Sequence, residues 1–191
     1  MIDLVETGKN IKKLRRLQRL SQETLALDSK LCPKWLDVLE KGETNTTTDT
    51  IRRIAESLGV APMALGILSL TDEEILSMVR KAKKLSKKIP ENISMGETIV
   101  LLRKERKLTQ LQLSELSKVS QARLRDIEHG CANTTIDRLE RIAVALGMNL
   151  FALSILAIPT EDILEQVHQA RTVHREKLAA SGKLAAREEL I

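Results

Sequence analysis

The sequence predicts an all-α protein built as a tandem duplication, and three observations carry that expectation. Leu, Ala, Lys, Arg and Glu dominate, while glycine and proline are sparse at 8 and 4 residues, a composition of good helix formers. Runs of β-branched residues are nearly absent, so no segment reads as a strand. The chain also aligns with itself at a shift of 88 residues, from Gly8 against Gly96 to Leu85 against Val173, with 30 identities in 78 gapless pairs. The expected organisation is two copies of a five-helix unit, each with an additional C-terminal helix, occupying residues 1–90 and 91–191.

Each element has its own justification. The first helix is expected to begin near Asn10 and to carry Ile11, Leu14 and Leu17 on one face. Ser21 then opens a short second helix as its N-cap. A third runs from Pro33, tolerated at a first helical position, to about Lys41, and Gly42 stops it. "TTTDTIRRIAESLG" predicts a fourth helix, capped by Thr47 and ended by Gly59, and "APMALGIL" a fifth. The second copy repeats these signals with Thr109, Gly130, Thr135 and Gly147. The sixth helices, "DEEILSMVRKAKKLSKK" and "EDILEQVHQARTVHREKLAA", align Ile75, Leu76, Val79 and Ala82 with Ile163, Leu164, Val167 and Ala170 as apolar stripes. Pro90 marks the boundary between copies, and the last stretch, "SGKLAAREELI", reads as a frayed or partner-dependent end.

The net charge of +5 is uneven: residues 1–90 hold 17 Lys/Arg against 12 Asp/Glu, and residues 91–191 hold 14 of each. A polyanionic partner is compatible with this surplus but is not required by it. Cys32 and Cys131 are isolated from each other and from the three histidines, which predicts reduced thiols and no metal site. There is no signal-like apolar region at the N-terminus and no run long enough for a bilayer span, so a cytoplasmic, nucleoid-associated protein without a membrane partner is expected. No glycine-rich phosphate loop or nucleophile arrangement is present, so no enzyme activity and no cofactor are expected. One tryptophan, one phenylalanine and no tyrosine argue against stacking on single-stranded nucleic acid.

The core of each copy reads helix, tight turn, helix: "SQETLALDSKLCPKWLDVLEKG" and "TQLQLSELSKVSQARLRDIEHG". With the Ser/Thr-Gln opening, the leucine four residues after that Ser/Thr (Leu25, Leu113), the Glu-x-Gly end, the Asn-Thr loop and the closing Leu-Gly, both copies resemble the Cro/C1-type (Xre family) helix-turn-helix domain, a lambda-repressor-like fold. The likeness covers residues 8–68 and 96–156. It implies binding to double-stranded DNA, with the third helix of each copy in the major groove. Both copies depart from the family at the tight turn, where Lys30 and Lys118 stand in place of the usual glycine.

The resemblance also implies roles for individual residues. Arg15 with Glu40, and Arg103 with Glu128, occupy positions where family members form an internal ion pair. Gln22 and Gln110, at the start of the second helix, approach phosphate, as do Ser120, Asn45, Asn133, Thr46 and Thr134. The outward residues of the second copy's third helix, Gln121, Ala122, Arg123, Arg125 and Asp126, carry groups suited to adenine, a thymine methyl, guanine and cytosine. The first copy offers Lys34 and Trp35 on the equivalent face and is the poorer reader.

Trp35 and Val38 lie three apart on that helix, and three roles remain open for the indole: local packing, an anchor for a protein partner at the first repeat, or a place in a groove. Two functions follow. One is a sequence-specific transcriptional regulator, with repression as the expected mode. The other is an adaptor or antagonist of another regulator, with Trp35 and Val38 as its partner surface. The striped sixth helices are the place for either packing between repeats or a homodimer contact.

Overall fold

The computed structural model describes residues 4–86, 88–131 and 133–180, with side chains as far as Val173. Among the described residues the chain forms twelve α-helices and no strand. The first six are α1 (Leu4–Leu17), α2 (Gln22–Asp28), α3 (Pro33–Glu40), α4 (Thr48–Leu58), α5 (Ala64–Ile67) and α6 (Asp72–Leu85). Then follow α7 (Met95–Glu105), α8 (Gln110–Ser117), α9 (Gln121–Glu128), α10 (Ile136–Ala145), α11 (Leu150–Ile155) and α12 (Thr160–Ala180). The starts of α2, α3, α4 and α6 recur 88 residues later at those of α8, α9, α10 and α12. None of these helices is long and apolar enough to cross a membrane. The stretch 181–191, expected to fray or to await a partner, lies outside the described residues.

Local chemistry sets the helix ends. The side chains of Ser21, Thr109 and Thr135 accept from Thr24, Gln112 and Arg138 backbone N–H groups, and Thr71 and Ser94 complete capping boxes with Glu74 and Glu97. Pro33 sits in the first turn of α3, where a missing N–H costs nothing. The α1 helix starts earlier than expected, running through Gly8. That glycine is a crossing point: a Cβ there would lie 2.8 Å from the Glu40 carbonyl oxygen. Its counterpart Gly96 in α7 meets the carbonyls of Ile127 and Glu128 at 2.6 Å each. Only an atom-free face lets these helices approach the ends of α3 and α9 so closely.

Two compact units emerge. The first comprises Asn45–Asp49 and Leu70–Leu164, and the second the described residues of Asp3–Thr44, Thr50–Ser69 and Glu165–Ile191. In the second unit Ile11, Leu14, Leu25, Leu36, Leu39, Ile54, Leu58 and Leu65 form the buried core. Buried amides on and just after α1 tie it together: Asn10 donates to the Leu65 carbonyl at 2.9 Å, and Gln18 to the Leu58 carbonyl at 2.7 Å. Leu17, expected on the buried face, is 37% exposed because α1 ends there. Leu31 is half-buried, whereas its counterpart Val119 is buried.

In the first unit Ile99, Leu102, Leu113, Leu124, Leu139, Ile142, Leu146 and Phe151 are buried. Here α6 packs on α11, with Ile75, Val79 and Ala82 buried. Division by sequence repeat therefore differs from division by packing. The sixth helix of residues 1–90 is covered by the fifth helix of residues 91–191.

Each helix-turn-helix turn holds a lysine in the left-handed region, Lys30 at φ 55° and Lys118 at φ 53°. That conformation costs an L-residue about 1–2 kcal/mol, partly offset by the backbone freedom a glycine would lose on folding. Lys118→Gly and Lys30→Gly are each expected to raise the unfolding free energy by about 0.5–1 kcal/mol, measured by urea denaturation. A loss of stability in both variants would show that the lysine side chains supply contacts outweighing the strain.

Candidate nucleic-acid interface

The helices α3 and α9 end in glutamates, and burial of those carboxylates dictates their surroundings. Glu40 and Glu128 have side chains only 1% and 2% exposed, at the negative end of the helix dipole. Each needs a cation and donors. Arg15 on α1 supplies a two-pronged contact, Nε to Glu40 Oε1 at 2.6 Å and Nη2 to Oε2 at 2.9 Å. Its third nitrogen, Nη1, donates to the Leu20 carbonyl at 3.0 Å. Arg103 on α7 repeats the pattern on Glu128 at 2.7 and 3.1 Å, with Nη1 on the Leu108 carbonyl at 3.1 Å. The hydrogen bond to Glu40 holds the Arg15 guanidinium above its ordinary pKa, against the opposing effect of burial.

Gln22 and Gln110 complete the clusters. Gln110 Nε2 donates to Glu128 Oε2 at 2.7 Å, which leaves one amide hydrogen of this half-buried side chain for another acceptor. Gln22 differs: its Nε2 donates to Glu40 Oε2 at 2.9 Å and to Asp37 Oδ1 at 3.3 Å, so both hydrogens are engaged. Asp37 also accepts from Lys41 Nζ at 2.7 Å. The Lys41 hydrogen bond, then that from Gln22, hold its carboxyl below the ordinary value.

The turn between the motif's helices is pinned from behind. Arg53 Nη1 donates to the carbonyls of Ser29 and Lys30 at 3.0 and 3.1 Å, and Arg141 Nη1 to that of Lys118 at 2.9 Å. Sequence reasoning missed these arginines, although their identity at a spacing of 88 was a signal.

The exposed face of α9 gathers Gln121, Ala122, Arg125 and Asp126, with Ser120 at its start. Arg123 is half-buried and donates to the Asn133 carbonyl at 3.3 Å. Asp126 pairs with neither arginine, so both its carboxylate and the Arg125 guanidinium face outward. On α3, Lys34 is exposed, while Trp35 and Val38 are half-buried. Part of each side chain thus remains at the surface. Arg125 stands where the first copy has Asp37.

The loops after the reading helices depart most from expectation. Thr46 and Thr134, placed beside phosphate by the sequence reading, are 1% and 3% exposed, and their hydroxyls are buried without a hydrogen-bond partner. The correction has a plain cause: the two loops pair. Thr47 and Thr135 form an isolated antiparallel bridge, the Thr48 N–H donates to the Thr134 carbonyl, and the Ile136 N–H donates to that of Thr46, both at 2.9 Å. Asn45 and Asn133 remain exposed, but their Oδ1 atoms accept from the Asp137 and Asp49 backbone N–H groups at 3.4 and 3.3 Å. Each asparagine thus caps the helix that follows the other loop.

Residues 99–153 match a family model described as helix-turn-helix. The chain is similar to an immunity repressor protein of Bacillus phage phi105, 38% identical over 85 residues, which cover 44% of this chain and 56% of that protein. The matched region thus spans little more than half of the phage protein. No solved structure matches the chain significantly.

Arg103→Met would leave the Glu128 carboxylate buried and unpaired, and is expected to cost about 3–5 kcal/mol of stability. The double variant Arg103→Met/Glu128→Leu should lose less, so thermal unfolding of the full double-mutant cycle reads the coupling directly; additive losses would contradict it. Asp37 has a folded pKa below its ordinary 3.8, so its contribution is complete above that value and is lost as the pH falls through the lowered one. In an NMR titration Asp37 should protonate below 3.8, and Lys41→Met should move its midpoint upward.

Proposed function

We propose that the protein is a sequence-specific, double-stranded DNA-binding regulator of transcription that acts as a repressor, with α9 as its principal base reader. The observation that carries this reading is the outward face of α9, where Gln121, Ala122, Arg125 and Asp126 stand exposed on a helix whose far end is fixed by the Arg103–Glu128–Gln110 cluster. A buried anchor with an open polar face is what groove reading requires: the backbone of the helix is held while side chains meet base edges. Ser120 and the remaining amide hydrogen of Gln110 lie at the starts of α9 and α8, where helix N-termini favour phosphate. The similarity to a phage immunity repressor supports repression as the mode.

The first copy is the weaker reader on electrostatic grounds. Asp37 occupies the position of Arg125, and its negative charge would oppose a phosphate backbone while its contact with Gln22 occupies that amide. Lys34 is the exposed cation on that helix, suited to a sequence-independent backbone contact.

Duplexes selected from a random library at fixed salt provide the test. Gln121→Ala and Arg125→Ala are each expected to weaken binding to the selected sequence by about 1–3 kcal/mol and to relax the preference at the position each residue reads. Lys34→Ala should weaken selected and unselected duplexes alike. Parental affinity in both α9 variants would move the reading face elsewhere.

A further inference from the structure

We propose that a single chain is the complete DNA-binding unit, with the paired Asn-Thr loops taking the place of the contact that two subunits would otherwise make. The inference rests on the DNA-binding reading above and names the device that makes a second copy unnecessary. Its first support is the exchange pattern of the loop bonds. Thr48 N–H to Thr134 carbonyl becomes Ile136 N–H to Thr46 carbonyl when each residue is replaced by its counterpart 88 positions away, and both bonds are 2.9 Å. The bonds from Asp49 to Asn133 and from Asp137 to Asn45 exchange in the same way, at 3.3 and 3.4 Å. Reciprocal contacts of this kind mark an isologous interface between identical subunits. Here the pairing lies within one polypeptide.

The second support is independent and comes from the striped helices. A homodimer through α6 or α12 would need their apolar faces at the surface. Ile75, Val79 and Ala82 are 0, 2 and 2% exposed, and Ile163, Val167, Ala170 and Val173 are 0, 0, 0 and 6% exposed. These residues of both stripes are buried inside the chain, with Leu76 and Leu164 half-buried beside them, so among the described residues neither stripe offers a second copy a fully open apolar face. The loop is also tied to the reader, because Arg123 on α9 donates to the Asn133 carbonyl. Pairing of the loops therefore bears directly on how firmly α9 is held.

The test combines mass, stoichiometry and a pair of prolines. Sedimentation equilibrium of the full chain should give a 21.4 kDa particle across the concentration range, and one chain per selected duplex. Amide exchange should show protection at Thr48 and Ile136. Thr48→Pro/Ile136→Pro deletes both cross-loop donors at first helical positions, where proline is accepted. This variant should keep its helical circular dichroism, lose protection through the loops and bind the selected duplex about tenfold or more weakly. Asn45→Ala/Asn133→Ala, which removes the side-chain acceptors and leaves the cross-loop backbone bonds in place, should lose affinity in the same direction to a smaller extent.

Two chains per duplex, a concentration-dependent dimer, or parental affinity in both folded variants would overturn the proposal. A parent chain without duplex affinity at low salt would overturn the DNA-binding reading beneath it. The free mass and the amide protection would then still decide whether the loops pair, so the two failures are distinguishable.

Discussion

A carboxylate buried at the last residue of α3 and of α9 is the constraint on which the rest of the motif depends. At that end of a helix the backbone carbonyls already concentrate negative potential, so burying the carboxylates of Glu40 and Glu128 there is costly without a guanidinium and further donors beside them. Meeting that need draws in the first helix of each copy through Arg15 or Arg103, and the start of the second through Gln22 or Gln110. The closeness of the approach explains why the first helix must present a glycine at its crossing point. Three helices are thereby fixed in angle by one charge, and the opposite face of the third is left free of structural duty. Specificity of geometry, more than net stability, is the gain from such a pair.

Much of this was legible in the sequence because it is written locally. Helix starts at Ser21, Thr109 and Thr135 follow from side chains reaching backbone N–H groups three residues on, and the left-handed glycines Gly42, Gly59, Gly130 and Gly147 mark the ends. The spacing of Ile11, Leu14, Leu25 and Leu36 likewise describes one buried face. What escaped depends on partners distant in the chain. Thr46 looks like any solvated loop threonine until its backbone carbonyl is found bonded to Ile136. Trp35 occupies an outward position by helical phase, yet it is half-buried, which phase alone does not reveal. The clue to the loops was the identity of "NTT" in both copies, since a surface that pairs with its own counterpart repeats its own residues.

The two copies share a scaffold and differ in charge where it counts. Asp37 and Arg125 lie at the same position of the repeat, and the acid draws Lys41 and Gln22 into its own local network, whereas the arginine stays open to solvent. A single exchange of sign thus turns one outward face into a self-satisfied surface and leaves the other unsatisfied and available. The glutamate, arginine and glutamine that build the motif recur 88 residues apart, whereas the exposed positions of α3 and α9 differ.

The packing of α6 on α11 has a consequence for how the chain is made. Synthesis runs from the N-terminus, so α6 leaves the ribosome well before Leu150–Ile155 exists. Its stripe of Ile75, Val79 and Ala82 must wait, uncovered, while the four intervening helices α7 to α10 emerge. The charged remainder of the helix, with Asp72, Glu73 and Glu74 at one end and Lys83 and Lys84 at the other, keeps that waiting surface narrow and discourages premature association. Completion of the first compact unit therefore waits for α11.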